Sequence, residues 1–287
     1  QLNMSLTNFI QEHILIVTEA MVLWEARISN EGGQMDSVLE KRLYEKYDID
    51  NLSRGAKTDA LGDLYEEYVK IIFQTNEYID NFNRGCQPTT VEEEVMQAVC
   101  KNFNITNIAS VEFLKVPKTD AGGEPKTDLC ILINENTYIK STIKHSHCSS
   151  VSIAEFSVEA IVSAIGIEDQ RTISLMEKHQ REASAKNFTP EDKSYLTEGL
   201  SGCKKSLVLW ALSGAPKPSE DLRVADFSIN FAVDKNTKRM QHFVTHTMES
   251  LVDKITNRKS GFGTGLSWTY ATGTKGRKIQ YKGPTFL

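Results

Sequence analysis

The stretch that most constrains this chain is residues 125–144, PKTDLCILINENTYIKSTIK. Residues 129–133 are apolar, Asn134-Glu135-Asn136 is polar and turn-prone, and residues 137–143 are rich in β-branched side chains. That pattern predicts two short strands joined by a turn. It puts Asp128 at the mouth of the first strand and Lys144 at the end of the second, so a carboxylate and a lysine share one end of a sheet. The carboxylate suits a hard divalent cation held through oxygen, and the lysine suits positioning or activating an attacking water. This pairing is the skeleton of a metal-dependent phosphodiester hydrolase, although an Asp, a Lys and a turn also recur by chance in most chains.

With 287 residues the chain can bury a full core, as one large α/β domain or two small ones. Its net charge of −5 argues against a general polycation, but the average hides an asymmetry. Residues 1–100 carry 18 Asp and Glu against 8 Lys and Arg, while residues 254–287 carry seven basic residues and no acidic one. A basic end of that kind is a footprint for a phosphate backbone, with a solvated tail as the alternative. The five cysteines are scattered without a CxxC, which fits free thiols in a reducing cytoplasm. The apolar residues 9–24 are interrupted by Gln11, Glu12, His13, Thr18 and Glu19 and lack a basic start. They read as an amphipathic helix, neither signal peptide nor membrane span.

Along the chain, apolar periodicity predicts helices over 5–27, 36–47 and 57–75, and Thr90 with Glu93 forms a capping box for another. Strand character follows over 110–116, then a flexible loop at Ala121-Gly122-Gly123 and the hairpin. Helices are expected over 152–165, 170–185 and from Thr189-Pro190 onward, strands over 206–212 and 227–233, and a helix over 242–254. Residues 261–283 read as strand and loop. The expected organisation is one domain over 1–287, mainly helical over 1–105, with a catalytic core over 106–200 and a C-terminal reading region over 201–287.

Other chemistries fit less well. His145-Ser146-His147-Cys148 lacks a second ligand pair at zinc-finger spacing. His242 and His246 stand at i, i+4 with no Glu between them and read as ordinary helix-face residues. No phosphate loop opens a helix, and Gly261-Phe262-Gly263-Thr264-Gly265 follows no apolar strand. Residues 261–282 do interleave glycines, hydroxyls, aromatics and cations. That mixture suits DNA, where glycines admit phosphate and polar side chains address base edges, with a packed glycine-rich loop as the alternative.

Long ungapped blocks decide among these readings. They are AGGEPKTD at 121–128, IKHS at 143–146, VSIAEFSVEAI at 151–161, KHQREASAKNFTP at 178–190 and RKSGFGTGLSWTYATGTKGRKIQYKG at 258–283. With weaker blocks at 43–50 and 61–68, the chain resembles the MspI-type restriction endonucleases of the PD-(D/E)xK group. The likeness runs over roughly 40–283 and is poorest over 200–250.

The resemblance implies an α/β fold, a mixed β-sheet flanked by helices with a helical N-terminal region. It implies a Mg²⁺-dependent type II enzyme that cuts both strands of duplex DNA at CCGG and leaves 5′-phosphate ends. The alternative is a DNA-binding protein on the same fold that has lost or weakened cleavage. Asp128 takes the place of the metal ligand and Lys144 that of the water-activating lysine. The catalytic position between them, acidic in the wider group and Asn in the family, is Thr142 here. A threonine hydroxyl can hold a metal-bound water but cannot balance a second cation, which implies one metal per site. The base-reading positions fall on Ser152, Thr269, Tyr270, Thr272, Gln280 and Lys282, and only Thr272 departs from the family, which has Ser. His147-Cys148-Ser149-Ser150 replaces a run of lysines, which implies weaker phosphate binding and a flatter salt dependence. Glu66 or Glu67 is an outer carboxylate or simply solvent-facing. Monomer and homodimer both remain compatible with a palindromic target.

Overall fold

This computed structural model describes residues 37–120 and 124–284, and among the described residues four α-helices precede the first strand. The helix expected over 5–27 and the loop at Ala121-Gly122-Gly123 lie outside the described residues. The four are α1 (Val38–Lys46), α2 (Arg54–Ile72), α3 (Asn76–Asn83) and α4 (Val91–Asn102); α3 matches no expected element. Side-chain caps set two of the starts. The Ser37 hydroxyl accepts from the Glu40 amide at 2.9 Å, and Thr90 and Glu93 close the expected box on α4. Along α2, Leu61, Leu64, Tyr65, Tyr68, Val69 and Ile72 are buried, the spacing of one helix face.

That face packs on a five-stranded sheet of order β1-β2-β3-β5-β6. Strands β1 (Val111–Leu114), β2 (Leu129–Ile133) and β3 (Thr137–Ser146) form an antiparallel meander. Strand β5 (Phe227–Val233) joins β3 in parallel, and β6 (Met240–Thr247) pairs antiparallel with β5. Tyr65 stacks on Phe231 at 4.5 Å and on His145 at 5.9 Å between ring centroids, so α2 lies over the β3–β5 pair.

A second, antiparallel sheet has the order β4-β8-β7, from β4 (Ser150–Phe156), β7 (Ser267–Thr269) and β8 (Ile279–Pro284). Its inner face joins a second core with α5 (Val158–Ile165), α6 (Gln170–Glu182), α7 (Pro190–Ser201), α8 (Lys204–Ser213) and α9 (Met248–Thr256). There Phe156 stacks on Trp210 at 3.7 Å and Trp268 meets Tyr281 edge-on at 5.3 Å. The expected α/β architecture, a mixed sheet flanked by helices, is the one observed. Among the described residues no helix is long and apolar enough to cross a membrane.

Three expected elements are corrected. The helix over 152–165 is β4 followed by α5, because Ser157 caps α5 by accepting from the Ala160 amide at 3.2 Å, and the residues before it pair with β8. The strand over 206–212 is α8. Leu207, Val208, Ala211 and Leu212 are buried at helical spacing, and Gly214 ends the helix at φ +93°. A short apolar run does not by itself separate helix from strand. The helix over 242–254 is β6 as far as Thr247 and α9 beyond it, with the Thr247 hydroxyl accepting from the Ser250 amide. His242 and His246 therefore stand on a strand, about 13 Å apart at a rise of about 3.3 Å per residue, and not on a helix face.

Candidate active site and nucleic-acid interface

The Asp128 amide donates to the Ser141 carbonyl at 2.9 Å, which extends the β2–β3 ladder by one rung and holds the carboxylate against β3. One carboxylate oxygen then gathers three donors. Asp128 Oδ2 accepts from Lys144 Nζ at 2.8 Å, from the Ile143 amide at 2.7 Å and from Thr142 Oγ1 at 3.0 Å. All three bonds fall on Oδ2, which leaves Oδ1 for a cation. Thr142 and Lys144 share one face of β3 by alternation. Across the parallel pairing they stand in register with Ser228 and Asn230 of β5, both buried polar residues. A small cavity of about 20 Å³ is lined by Thr142, Lys144, Ser228, Asn230, Lys126 and Ser152 among others.

Burial and the charges of Asp128 and Lys144 act together on the groups around this centre. Burial, and next the negative charge of Asp128, push the Glu66 carboxyl on α2 up to about 7, while Lys144 opposes the shift. Glu67 turns away instead, bonding Lys46 at 2.6 Å and Tyr47 at 2.8 Å. Of the two acidic candidates on this helix, Glu66 is the one that feels the centre. Glu66 and Leu129, the neighbour of Asp128, both line an open cleft of about 530 Å³. Burial lowers Lys126 to about 8, with the Lys144 charge adding to the shift, and its ammonium donates to the Ile153 carbonyl at 2.6 Å. Burial, helped by the positive charge of Lys144, lowers His145 to about 4 and keeps it neutral beneath Tyr65.

Oxygen donors dominate here, as a hard cation requires. Among the described residues no group of three or more His, Cys, Asp or Glu gathers around one point. A cation held by Asp128 Oδ1 and Glu66 would take its other ligands from water and phosphate, which is the habit of Mg²⁺.

The expected reading residues lie on the three-stranded sheet and the loop beside it. Along β8, Ile279, Tyr281 and Gly283 are buried, while Gln280, Lys282 and Pro284 face outward. Ser152 and Ser267 flank Lys282 in register, and Glu155 and Thr269 flank Gln280. Ser152 and Glu155 are three residues apart, which plain alternation would put on opposite faces. A bulge between Ser152 and Ala154 absorbs the extra residue and returns both to the outer face. Tyr270 is 40% exposed, its ring beneath Lys275 Nζ at 5.0 Å. Thr272 opens an exposed 3-10 turn over Thr272–Thr274.

The glycine-rich segment divides. A Cβ on Gly265 would lie 1.8 Å from the Ile255 carbonyl oxygen, and one on Gly261 1.5 Å from that of Leu266. Residues 261–266 are thus packed on the body, and the outer face begins at Ser267. Lys126, Glu155, Ser228 and Asn230 have no place in the sequence reading. The one local signal for them is the interruption of the apolar β5 strand by Ser228 and Asn230.

Known proteins resemble this chain along most of its length. The family profile described as Restriction endonuclease MspI matches residues 41–283. The type II restriction enzyme MspI of a Moraxella species is 35% identical over 267 residues, covering 87% of this chain and all of that protein. The type II restriction enzyme BsuFI of Bacillus subtilis is 24% identical over 264 residues, covering 85% of this chain and 64% of that protein. A crystal structure of MspI in complex with its cognate DNA superposes with a TM-score of 0.74 at 35% identity, over 87% of this chain and all of that one.

Proposed function

Because the chain belongs to the MspI family of restriction endonucleases, and is thus a type II site-specific deoxyribonuclease, we propose that it cuts duplex DNA at CCGG with Mg²⁺. The observation that carries the reading is the convergence of Thr142, Ile143 and Lys144 on one oxygen of Asp128. That convergence orients the carboxylate and keeps its second oxygen for the metal. Mg²⁺, when bound, supplies positive charge against the charge that grows on the scissile phosphate.

The protein's own residues do the remaining work. Lys144 holds the attacking water and stabilises its developing hydroxide. Thr142, neutral and already donating to Asp128, serves to aim that carboxylate and leaves the site with one metal. Glu66, whose carboxyl burial pushes up to about 7, would be the second carboxylate to hold the cation. Cleavage leaves 5′-phosphate ends.

Ser152, Thr269, Gln280 and Lys282 on the outer sheet face, with Tyr270 and Thr272 beside it, read the base edges. Lys282 donates to guanine O6 and N7, and the hydroxyls address either partner of a G·C pair. The five free cysteines suit work in the cytoplasm.

Digestion of a sequenced plasmid with MgCl₂, and in parallel with EDTA, tests the whole reading. Discrete fragments ending at CCGG, seen only with Mg²⁺, are expected. Fragments at another sequence overturn the target and keep the chemistry. A gel shift on a CCGG duplex without cutting overturns the catalytic assignment.

A further inference from the structure

Glu155 contributes a negative charge to a face whose proposed ligand is a polyanion, and the geometry accounts for its presence. It stands in register with Gln280 across β4 and β8. Its Oε1 accepts from Gln280 Nε2 at 3.0 Å, and its Oε2 accepts from Thr274 Oγ1 at 2.9 Å. A carboxylate offers acceptors only, so the end of the Gln280 amide turned toward it is the nitrogen. An untethered glutamine amide can flip and exchange its donor for its acceptor. This one is tied by one N–H. With the nitrogen held toward Glu155, the donor and acceptor ends of the amide keep one fixed order for whatever meets them.

That order carries information. In the major groove a G·C pair presents the O6 acceptor of guanine next to the N4 donor of cytosine. Reversing the pair reverses the sequence of acceptor and donor. An edge of fixed order therefore pairs with one orientation of G·C and sets donor against donor on the other. The second oxygen of Glu155 fixes the 272–274 turn that carries Thr272 to the same strand.

We propose that Glu155 is a positioning residue for sequence specificity, which sets the polarity of the Gln280 amide and so distinguishes G·C from C·G at one base pair of the target. The proposal rests on the reading of the outer sheet face as the DNA-reading surface. It needs no contact between Glu155 and DNA.

The test compares the unchanged enzyme, Gln280→Ala, Glu155→Gln and Glu155→Ala. Cleavage rate constants are measured on a CCGG duplex and on duplexes in which each base pair is replaced in turn, the reversed pair included. The quantity read is the ratio between target and variant duplex. In E155Q the side chain keeps its size, but its amide can meet Gln280 with either end, so the constraint on orientation goes. Removing one negative charge strengthens binding to all duplexes alike and leaves these ratios unmoved. A loss of folded protein lowers every rate together and also leaves them unmoved.

The expected result is that both Glu155 variants lose roughly tenfold in discrimination at the base pair that Gln280→Ala relaxes, the scale of one well-made base contact. If Gln280→Ala relaxes a pair and the Glu155 variants do not, the positioning role is overturned and the reading face stands. Relaxation at a different base pair makes Glu155 a reader in its own right and overturns the proposal as well. If Gln280→Ala relaxes nothing, the assignment of the reading face falls and takes this inference with it.

Discussion

Lys126 donates its ammonium to the carbonyl of Ile153 at 2.6 Å, which fastens the segment leading into Asp128 to the bulge beside Ser152. Removing the ammonium leaves a carbonyl in a tight site without its charged partner. Lys126→Met is expected to lower folding stability by about 1–3 kcal/mol and to slow cutting of CCGG, through looser placement of β4. Urea denaturation and single-turnover cleavage check this, and no change in either would mean the tie is incidental.

Asp128→Asn and Lys144→Ala are expected to abolish cutting while circular dichroism stays that of the unchanged protein. The first removes the charge proposed to hold a cation, and the second the group proposed to hold the water. Wild-type rates in either variant would remove the proposed centre.

Thr142→Val keeps the shape and deletes the donor to Asp128 Oδ2. A hydrogen bond to a charged group is worth roughly 1.5–3 kcal/mol, so a drop of about tenfold or more in single-turnover rate is expected. Thr142→Asn, the residue that the family resemblance implies here, is expected to keep cutting. Equal rates in the unchanged protein and Thr142→Val would leave the hydroxyl without a catalytic role.

Glu66 gives a pH dependence whose sign follows from its raised pKa of about 7. Below the ordinary carboxyl value of 4.5 the group is neutral whether the chain is folded or not. Between that value and about 7 the unfolded chain releases the proton while the folded chain keeps it, so stability falls as pH rises through the window. Glu66→Gln removes the effect. In EDTA, the unchanged protein is expected to lose roughly 1–2 kcal/mol more than the variant between pH 5 and pH 8, after allowance for the partial exposure of Glu66. Parallel stability curves for the two proteins would refute the assignment.

Lys282→Ala is expected to lose discrimination at one G·C pair by about tenfold, the scale of a lysine contact to guanine. Cleavage of single-substitution duplexes reads it. A drop that is equal on every duplex would mean that Lys282 meets phosphate and not a base.

Much of this was open to reading along the chain because it is local. The hairpin follows from an apolar run, a polar turn and a β-branched run, all within residues 125–144, and Asp128 and Lys144 come with it. The capping box at Thr90 and Glu93 is local as well. What escaped depends on pairing at a distance. Glu155 acquires meaning only from Gln280, 125 positions away. The bulge at Ser152 is a property of two strands and has no mark in one. The run at 206–212 is apolar enough for either helix or strand, and only the core around it decides.

The alternation of β8 has a practical consequence. Its inward positions, Ile279 and Tyr281, carry the packing, while Gln280 and Lys282, which alternate with them, are only half-buried. Substitutions at the outward positions can therefore accumulate without melting the sheet, so libraries randomised there should yield mostly folded proteins. The bulge in β4 is the exception. Deleting Ile153 would remove the bulge and leave Ser152 and Glu155 on one face by plain alternation, but it would take away the carbonyl that Lys126 bonds. A lineage exploring new targets on this scaffold can vary the letters on the outer face, while the bulge stays bound to the segment that leads into Asp128.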